Sequence, residues 1–189
     1  MQAMTQLAHD FLKPILHSQA ICVDGTLGRG RDTLFFIEQN VGRVFYYEIQ
    51  SDLFEQFKNK LNQQIALKSQ KVPHVIGYCH SHDRIEHDLS AYQGQIDAMI
   101  FNYGFDPKTL SGIATQANSS LRALEQSVRL LRKKGRIALV FYPHPEGQQE
   151  KEVLMDWLQE QTNLHVLEMR HPFKSNSPSL VCLEKISNE

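Results

Sequence analysis

Apolar residues along the chain gather into short unbroken runs, separated by stretches in which they recur every three or four positions. The runs at 20–23, 44–47, 74–76, 96–101, 136–142, 164–169 and 180–186 read as strands. A strand covered on both faces needs no polar alternation, so continuous apolar runs suit a buried, mainly parallel sheet. Helical spacing appears at Leu7, Phe11, Leu12, Ile15 and Leu16, ahead of the first run. Asp32-Thr33-Leu34 opens a second helical pattern, and Ser51-Asp52 is the expected N-cap of a third, with Leu53, Phe54, Phe57 and Leu61 on one face. Leu121, Leu124, Val128 and Leu131 mark a helix that the cluster Arg132-Lys133-Lys134, then Gly135, is expected to close. A last helix is expected over 150–158, with Val153, Leu154, Trp157 and Leu158 on its core face.

Alternation of this kind predicts an α/β fold: a seven-stranded, mostly parallel sheet with helices on both faces. The last two runs have no helix between them, which predicts a C-terminal antiparallel hairpin at one edge. No linker or repeat interrupts the pattern, so residues 1–189 are expected to form one domain.

Composition narrows the class. With 41% hydrophobic and 22% charged residues, the chain suits a globular domain with one sizeable core. A formal net charge of −1 supplies no overall basic field, although a local patch on a neutral protein still suffices for RNA. The three cysteines, Cys22, Cys79 and Cys182, are odd in number, and two lie in apolar runs. A reducing compartment is expected rather than a disulfide framework. No run of about 18 apolar residues suggests a membrane span, and no charged-then-apolar signal design opens the chain. These features predict a cytoplasmic protein that does not bind a membrane.

The chemistry concentrates where the first run meets its turn: Val23-Asp24-Gly25-Thr26-Leu27-Gly28-Arg29-Gly30-Arg31-Asp32. The second run then ends in Glu48-Ile49-Gln50. Strand, glycine turn, helix, strand and acid form the plan of an adenosine-binding crevice, in which the acid accepts bonds from both ribose hydroxyls. A dinucleotide fingerprint needs a further glycine inside the helix, where this chain has Thr33. A phosphate loop with glycine before Lys-Ser or Lys-Thr is absent. Asp24 repels a pyrophosphate but suits a cationic sulfonium ligand with an α-ammonium group. The expected cofactor is therefore S-adenosyl-L-methionine, with Asp24 and the turn from Gly28 to Gly30 at its methionine end and Glu48 on its ribose.

Several motifs in order extend this reading. The chain shows Asp24-Gly25-Thr26, Gly28-Arg29-Gly30, Asp32-Thr33-Leu34-Phe35, Glu48-Ile49-Gln50, Ser81-His82 and Phe101-Asn102-Tyr103-Gly104. Tyr142-Pro143-His144-Pro145-Glu146-Gly147 and Asn176-Ser177-Pro178-Ser179-Leu180 follow. Over nearly its whole length it resembles the small bacterial methyltransferases first labelled ribosomal RNA methylases and later assigned to the tRNA wobble nucleoside 5-aminomethyl-2-thiouridine. That resemblance implies a Rossmann-like methyltransferase fold and N-methylation of the aminomethyl group on a tRNA anticodon. It also implies cofactor contacts at Asp24, Thr26, Gly28, Arg29, Gly30, Asp32, Thr33, Glu48, Gln50, Ser81, His82 and Asn102. Tyr103, Gly104, Tyr142 and His144 are the implied substrate contacts.

Two departures stand out. Arg29 replaces an asparagine in the glycine turn, and the segment after Gly104 reads Phe105-Asp106-Pro107-Lys108-Thr109 where the family has Leu-Pro-Gly-Gly-Asp-Lys.

A neutral primary amine already carries the lone pair that attacks a methyl sulfonium, so the enzyme has mainly to align the two groups. Asn102 is the expected catalytic residue, its side-chain oxygen or neighbouring carbonyls aiming the amine. An Asn-x-Gly turn is the plainer reading of the same residues. Cys79-His80-Ser81-His82 with His87 looks like a ligand cluster, but no paired-cysteine or His-Glu-x-x-His spacing supports a metal, and none is expected. His82 is assigned to the neighbourhood of the adenine.

Arg29, Arg31, Lys108, Arg122, Arg170, His171 and Lys174 are available for phosphate, and Tyr103, Phe105, Tyr142 and Phe173 for base stacking. Two other classes stay open: a methyltransferase of a small molecule or protein, and a non-catalytic binding module of the same fold. A monomer and a homodimer fit the sequence equally.

Overall fold

The strands assemble in the order β3-β2-β1-β4-β5-β7-β6. Residues 3–67, 73–103, 116–174 and 176–187 are described by a computed structural model. The strands are β1 (Ile21–Asp24), β2 (Arg43–Tyr47), β3 (His74–Tyr78), β4 (Ile96–Tyr103), β5 (Leu131–Phe141), β6 (Leu164–Met169) and β7 (Ser179–Lys185). The helices are α1 (Met4–Leu12), α2 (Arg31–Glu38), α3 (Ser51–Leu67), α4 (Ile85–Asp88), α5 (Ala117–Leu130) and α6 (Pro145–Gln159). Strands β1 to β5 run parallel, while β7 pairs antiparallel with both β5 and β6. The expected C-terminal hairpin is therefore present, with β7 inserted between β5 and the edge strand β6.

The apolar runs are explained by burial on both faces. Val23, Met99, Phe101, Ile137 and Leu139 pack against Leu124 and Val128 of α5 and Leu154 and Leu158 of α6. The intervening residues Cys22, Ala98, Ile100, Ala138 and Val140 pack against Ala8 and Leu12 of α1, Phe36 of α2 and Phe57 of α3. Successive side chains thus enter opposite cores. This sheet carries the carboxyl ends of β1, β2 and β4 to one edge, where a crevice forms at the change of strand order.

Several boundaries depart from expectation: α4 was not foreseen, α6 begins at Pro145 rather than at 150, and the end of α5 differs most. Helix α5 ends at Leu130, and Leu131 is already extended, paired with Ile96 of β4. The next pair is Ala98 with Arg136, so the basic cluster forms a bulge within β5 rather than a helix terminus. Lys134, not Gly135, takes the left-handed conformation there, at φ 63°. Arg132 turns to the buried Asp97, which also accepts from the Ile21 N–H at 2.8 Å. The carbonyls of Val128, in the last turn of α5, and of Leu131, the first residue of β5, are met instead by the buried ammonium of Lys185, at 2.8 and 2.9 Å. Ser51, expected as a cap, is the first residue of α3 itself.

Among the described residues, no helix is long and apolar enough to cross a membrane.

Candidate active site

The glycine turn, which follows β1, is laced to the ends of β2 and β4. The Gly25 N–H donates to Ile100 O at 2.9 Å, the Leu27 N–H to Tyr47 O at 2.9 Å, and the Gly28 N–H to a Glu48 carboxylate oxygen at 3.0 Å. Gly28 and Gly30 both lie in the left-handed region, at φ 48° and 74°. They serve different ends. A Cβ on Gly30 would stand 2.0 Å from the Phe57 ring, so its missing side chain admits α3 rather than a ligand, a correction to the sequence reading. A Cβ on Gly28 would meet nothing within 4 Å. The turn is therefore open for close backbone approach at Gly28.

Asp24 was expected to face the ligand. It is instead fully buried, and its carboxylate faces inward. One oxygen accepts from the Thr26 N–H at 3.1 Å; the other accepts from the Thr33 N–H at 3.0 Å and the Thr33 hydroxyl at 2.7 Å. Asp24 fastens the turn to the start of α2 from behind, and Thr33, also fully buried, is its partner there. Burial and the neighbouring Asp32 hold the Asp24 carboxyl well above the usual carboxylate range.

Glu48 lies at the carboxyl end of β2, nearly buried. Its second oxygen accepts from the Gln50 N–H at 2.9 Å, and the Gln50 side chain adds a further bond. Burial raises its pKa, and these donors partly oppose the rise. The Ile49 backbone N–H donates to the same carboxylate, so a ribose hydroxyl has to share or displace one of these donors. Ile49 beside it is 56% exposed, an apolar side chain on the rim of the crevice.

Asn102 sits at the carboxyl end of β4, where its N–H donates to the Thr26 hydroxyl at 2.7 Å. Its side-chain Nδ2 donates to Asp32 Oδ2 at 2.5 Å, and Asp32 Oδ1 lies 2.6 Å from His9 Nε2. The His9 ring stacks on Phe35 at 3.9 Å. Both donors converge on one carboxylate, which fixes the amide with its oxygen turned away. Asn102 Oδ1 is buried and without a hydrogen-bond partner among the described residues. An orphaned buried acceptor is costly, and this one keeps its full capacity to accept a hydrogen bond. Sequence reasoning missed His9 altogether. It lies one position off the buried Met4, Ala8 and Leu12 stripe of α1, and nothing in the local pattern distinguishes it from a solvated residue.

His82 is buried and holds a hydrogen bond to the Gly25 backbone. Its ring meets Phe101 and Tyr103 edge-on, at 5.8 and 6.3 Å between centroids. Burial pushes its pKa down to about 4, so it is neutral near pH 7, and its Nε2 has no partner among the described residues. Ser81 caps the turn that follows, accepting from the Asp83 N–H at 3.4 Å. Tyr103, expected to touch substrate, is wholly buried and stacked between Phe101 and Phe141, and its hydroxyl has no hydrogen-bond partner among the described residues.

Tyr142 and His144 follow β5 on the same sheet edge, half-buried, while Arg29 stands exposed at the tip of the turn. Gly104, Phe105 and Lys108 lie outside the described residues. Arg122 is committed to Asp83 at 2.6 Å. Among the described residues, no group of histidine, cysteine or carboxylate side chains is arranged to hold a metal ion.

Comparison with known proteins identifies the family and the fold. Residues 44–185 match the model of a family described as "Putative rRNA methylase". A chloroplastic tRNA (mnm5s2U34)-methyltransferase of Arabidopsis thaliana is 28% identical over 158 residues, 79% of this chain. The match spans 57% of that relative's length. A Clostridium thermocellum crystal structure named as a "putative rRNA-methylase" superposes with a TM-score of 0.86 at 27% identity, covering 98% of this chain and 99% of that one. A Streptococcus mutans "putative methyltransferase", solved with SAH, gives 0.83 at 26% identity, again covering 98% and 99%. The open turn at Gly28, the acid closing β2 and the orphaned amide oxygen closing β4 stand on one edge of the fold those proteins share, and this chain belongs to the same rRNA methylase family of S-adenosylmethionine-dependent methyltransferases.

Proposed function

We propose that this protein N-methylates the aminomethyl group of 5-aminomethyl-2-thiouridine at the tRNA wobble position. The observation that carries the proposal is the unpartnered, buried Oδ1 of Asn102, an acceptor aimed by Asp32 and suited to an amine N–H. The Arabidopsis relative is named for mnm5s2U34, the nucleoside that such a methylation would produce.

When bound, S-adenosylmethionine would supply an electrophilic methyl group, to whose carbon the amine lone pair bonds in line while the neutral thioether leaves. The residues present fit such a cofactor. Glu48 presents a carboxylate acceptor to the ribose hydroxyls, Ile49 an apolar surface to the base, and the backbone at Gly28 an unobstructed approach. Asp24 and Thr33 act from behind by holding that backbone still. Accepting one amine hydrogen at Asn102 Oδ1 leaves the nitrogen lone pair pointing away from β4, which is alignment rather than base catalysis.

Replacing Asn102 tests this directly. An aligning group acts most as the nucleophile approaches, so its loss lowers turnover more than cofactor affinity. Asn102→Ala is expected to bind S-adenosylmethionine nearly as wild type in calorimetry. It should methylate tRNA bearing aminomethyl-thiouridine about a hundredfold more slowly, a loss of about 3 kcal/mol. Full activity in the variant removes Asn102 from the mechanism. A wild-type protein that binds the cofactor but leaves this tRNA untouched moves the acceptor to a small molecule or protein.

A further inference from the structure

Beyond the crevice, the carboxyl end of β5, the first turns of α6 and the loop after β6 enclose a cleft of about 480 Å3. Lys151, Arg170, His171 and Lys174 line it, and among the described residues no aspartate or glutamate does, in a chain whose formal net charge is −1. Lys151 is spent on Glu168 and the Ser179 hydroxyl, at 2.7 and 3.0 Å. Arg170 and Lys174 are exposed and make no ion pair among the described residues. The cleft is thus a local cationic surface on a protein without a cationic field.

Phe173, between those cations, is 98% exposed. Burying a phenylalanine is ordinarily worth about 1.5–3 kcal/mol, so a ring held wholly in solvent on the rim of a charged cleft serves folding in no way. An aromatic face flanked by guanidinium and ammonium groups is the arrangement that stacks an unpaired base while the cations follow the phosphates.

The location decides what such a strand would do. The Tyr142 N–H, on the wall of the cleft, donates to Tyr103 O at 3.1 Å, and Asn102 pairs in register with Val140. Neighbouring strands lie about 4.8 Å apart. The cleft therefore opens one strand away from the orphaned Asn102 oxygen, close enough for one nucleotide to enter the crevice while its neighbours lie along β5 and the β6–β7 loop.

We propose that this cleft binds single-stranded RNA flanking the target nucleotide, with Arg170 and Lys174 on phosphates and Phe173 stacked on an unpaired base. The proposal rests on the tRNA reading above and adds the surface that recognises the loop.

Fluorescence anisotropy with a labelled anticodon stem-loop carrying 5-aminomethyl-2-thiouridine tests it, alongside calorimetry with S-adenosylmethionine. Arg170→Gln/Lys174→Gln is expected to weaken RNA binding at least tenfold and to reduce the salt slope by about 1.4, about 0.7 for each lost phosphate contact. Phe173→Ala is expected to weaken binding about fivefold or more at unchanged salt slope, with Phe173→Trp restoring it. Cofactor affinity should stay at the wild-type value in all three, which establishes that they are folded. Wild-type affinity and salt slope in the double variant overturn the cleft proposal while leaving the tRNA reading intact. A wild-type protein that binds the cofactor but not the stem-loop overturns both.

Discussion

Acidification is expected to unfold this protein partly through His82. The unfolded chain takes up a proton on this imidazole near the ordinary 6.5, whereas the folded chain resists until about 4. The cause is burial against Phe101 and Tyr103 beneath the Gly25 turn. Since the unfolded state binds more protons across that window, stability is fully present above pH 6.5 and is lost as pH falls toward 4. A gap of about 2.5 pH units, at about 1.36 kcal/mol each, amounts to roughly 3 kcal/mol. Asp24 slopes the other way, because its raised pKa favours the folded state at low pH and less so as pH rises. The comparison that isolates His82 is therefore wild type against His82→Gln, in which Asp24 is common to both. Urea unfolding at stepped pH should show the wild type losing about 3 kcal/mol relative to the variant between pH 6.5 and 4. Parallel stability curves, or an imidazole that titrates near 6.5 by NMR in the folded protein, would refute the reasoning.

Glu48→Gln places an amide N–H against either the Gly28 or the Gln50 backbone N–H. It should weaken S-adenosylmethionine binding at least about tenfold in calorimetry and lower stability by about 1–3 kcal/mol. His9→Phe keeps the stack on Phe35 but removes a bond to Asp32. Turnover is expected to fall about tenfold or more, from a charged hydrogen bond worth about 1.5–3 kcal/mol, with cofactor affinity little changed. Lys185→Met strands two buried carbonyls where α5 meets β5. Thermal unfolding should show a loss of about 1–3 kcal/mol, with activity per folded molecule unaltered.

Much of the sheet was legible because burial leaves a local record. Strands covered on both faces must be apolar throughout, and the runs at 44–47 and 96–101 coincide with β2 and most of β4. The turn at Gly28 and the acid at Glu48 were legible for a similar reason, since an open backbone and a strand-end carboxylate are written in adjacent residues. The C-terminal hairpin followed from a missing helix. Its insertion of β7 between β5 and β6 did not, because strand order depends on which edges meet rather than on any one segment.

What the sequence determined by itself, then, is the alternation of strands with the main helices, though not α4 or the start of β5, and the kind of crevice they form. The direction each polar side chain faces belonged to the tertiary structure. Asp24 reads as a ligand-facing acid until Thr33 is seen to close over it, and the cluster at Arg132 reads as a helix end until Asp97 and Lys185 claim the two roles. His9, Asp32 and Asn102 come from three separate elements, with 70 positions between the last two, and only packing brings them into one chain of hydrogen bonds. Orientation of this kind is set by partners distant in sequence, whereas periodicity records only whether a position is buried.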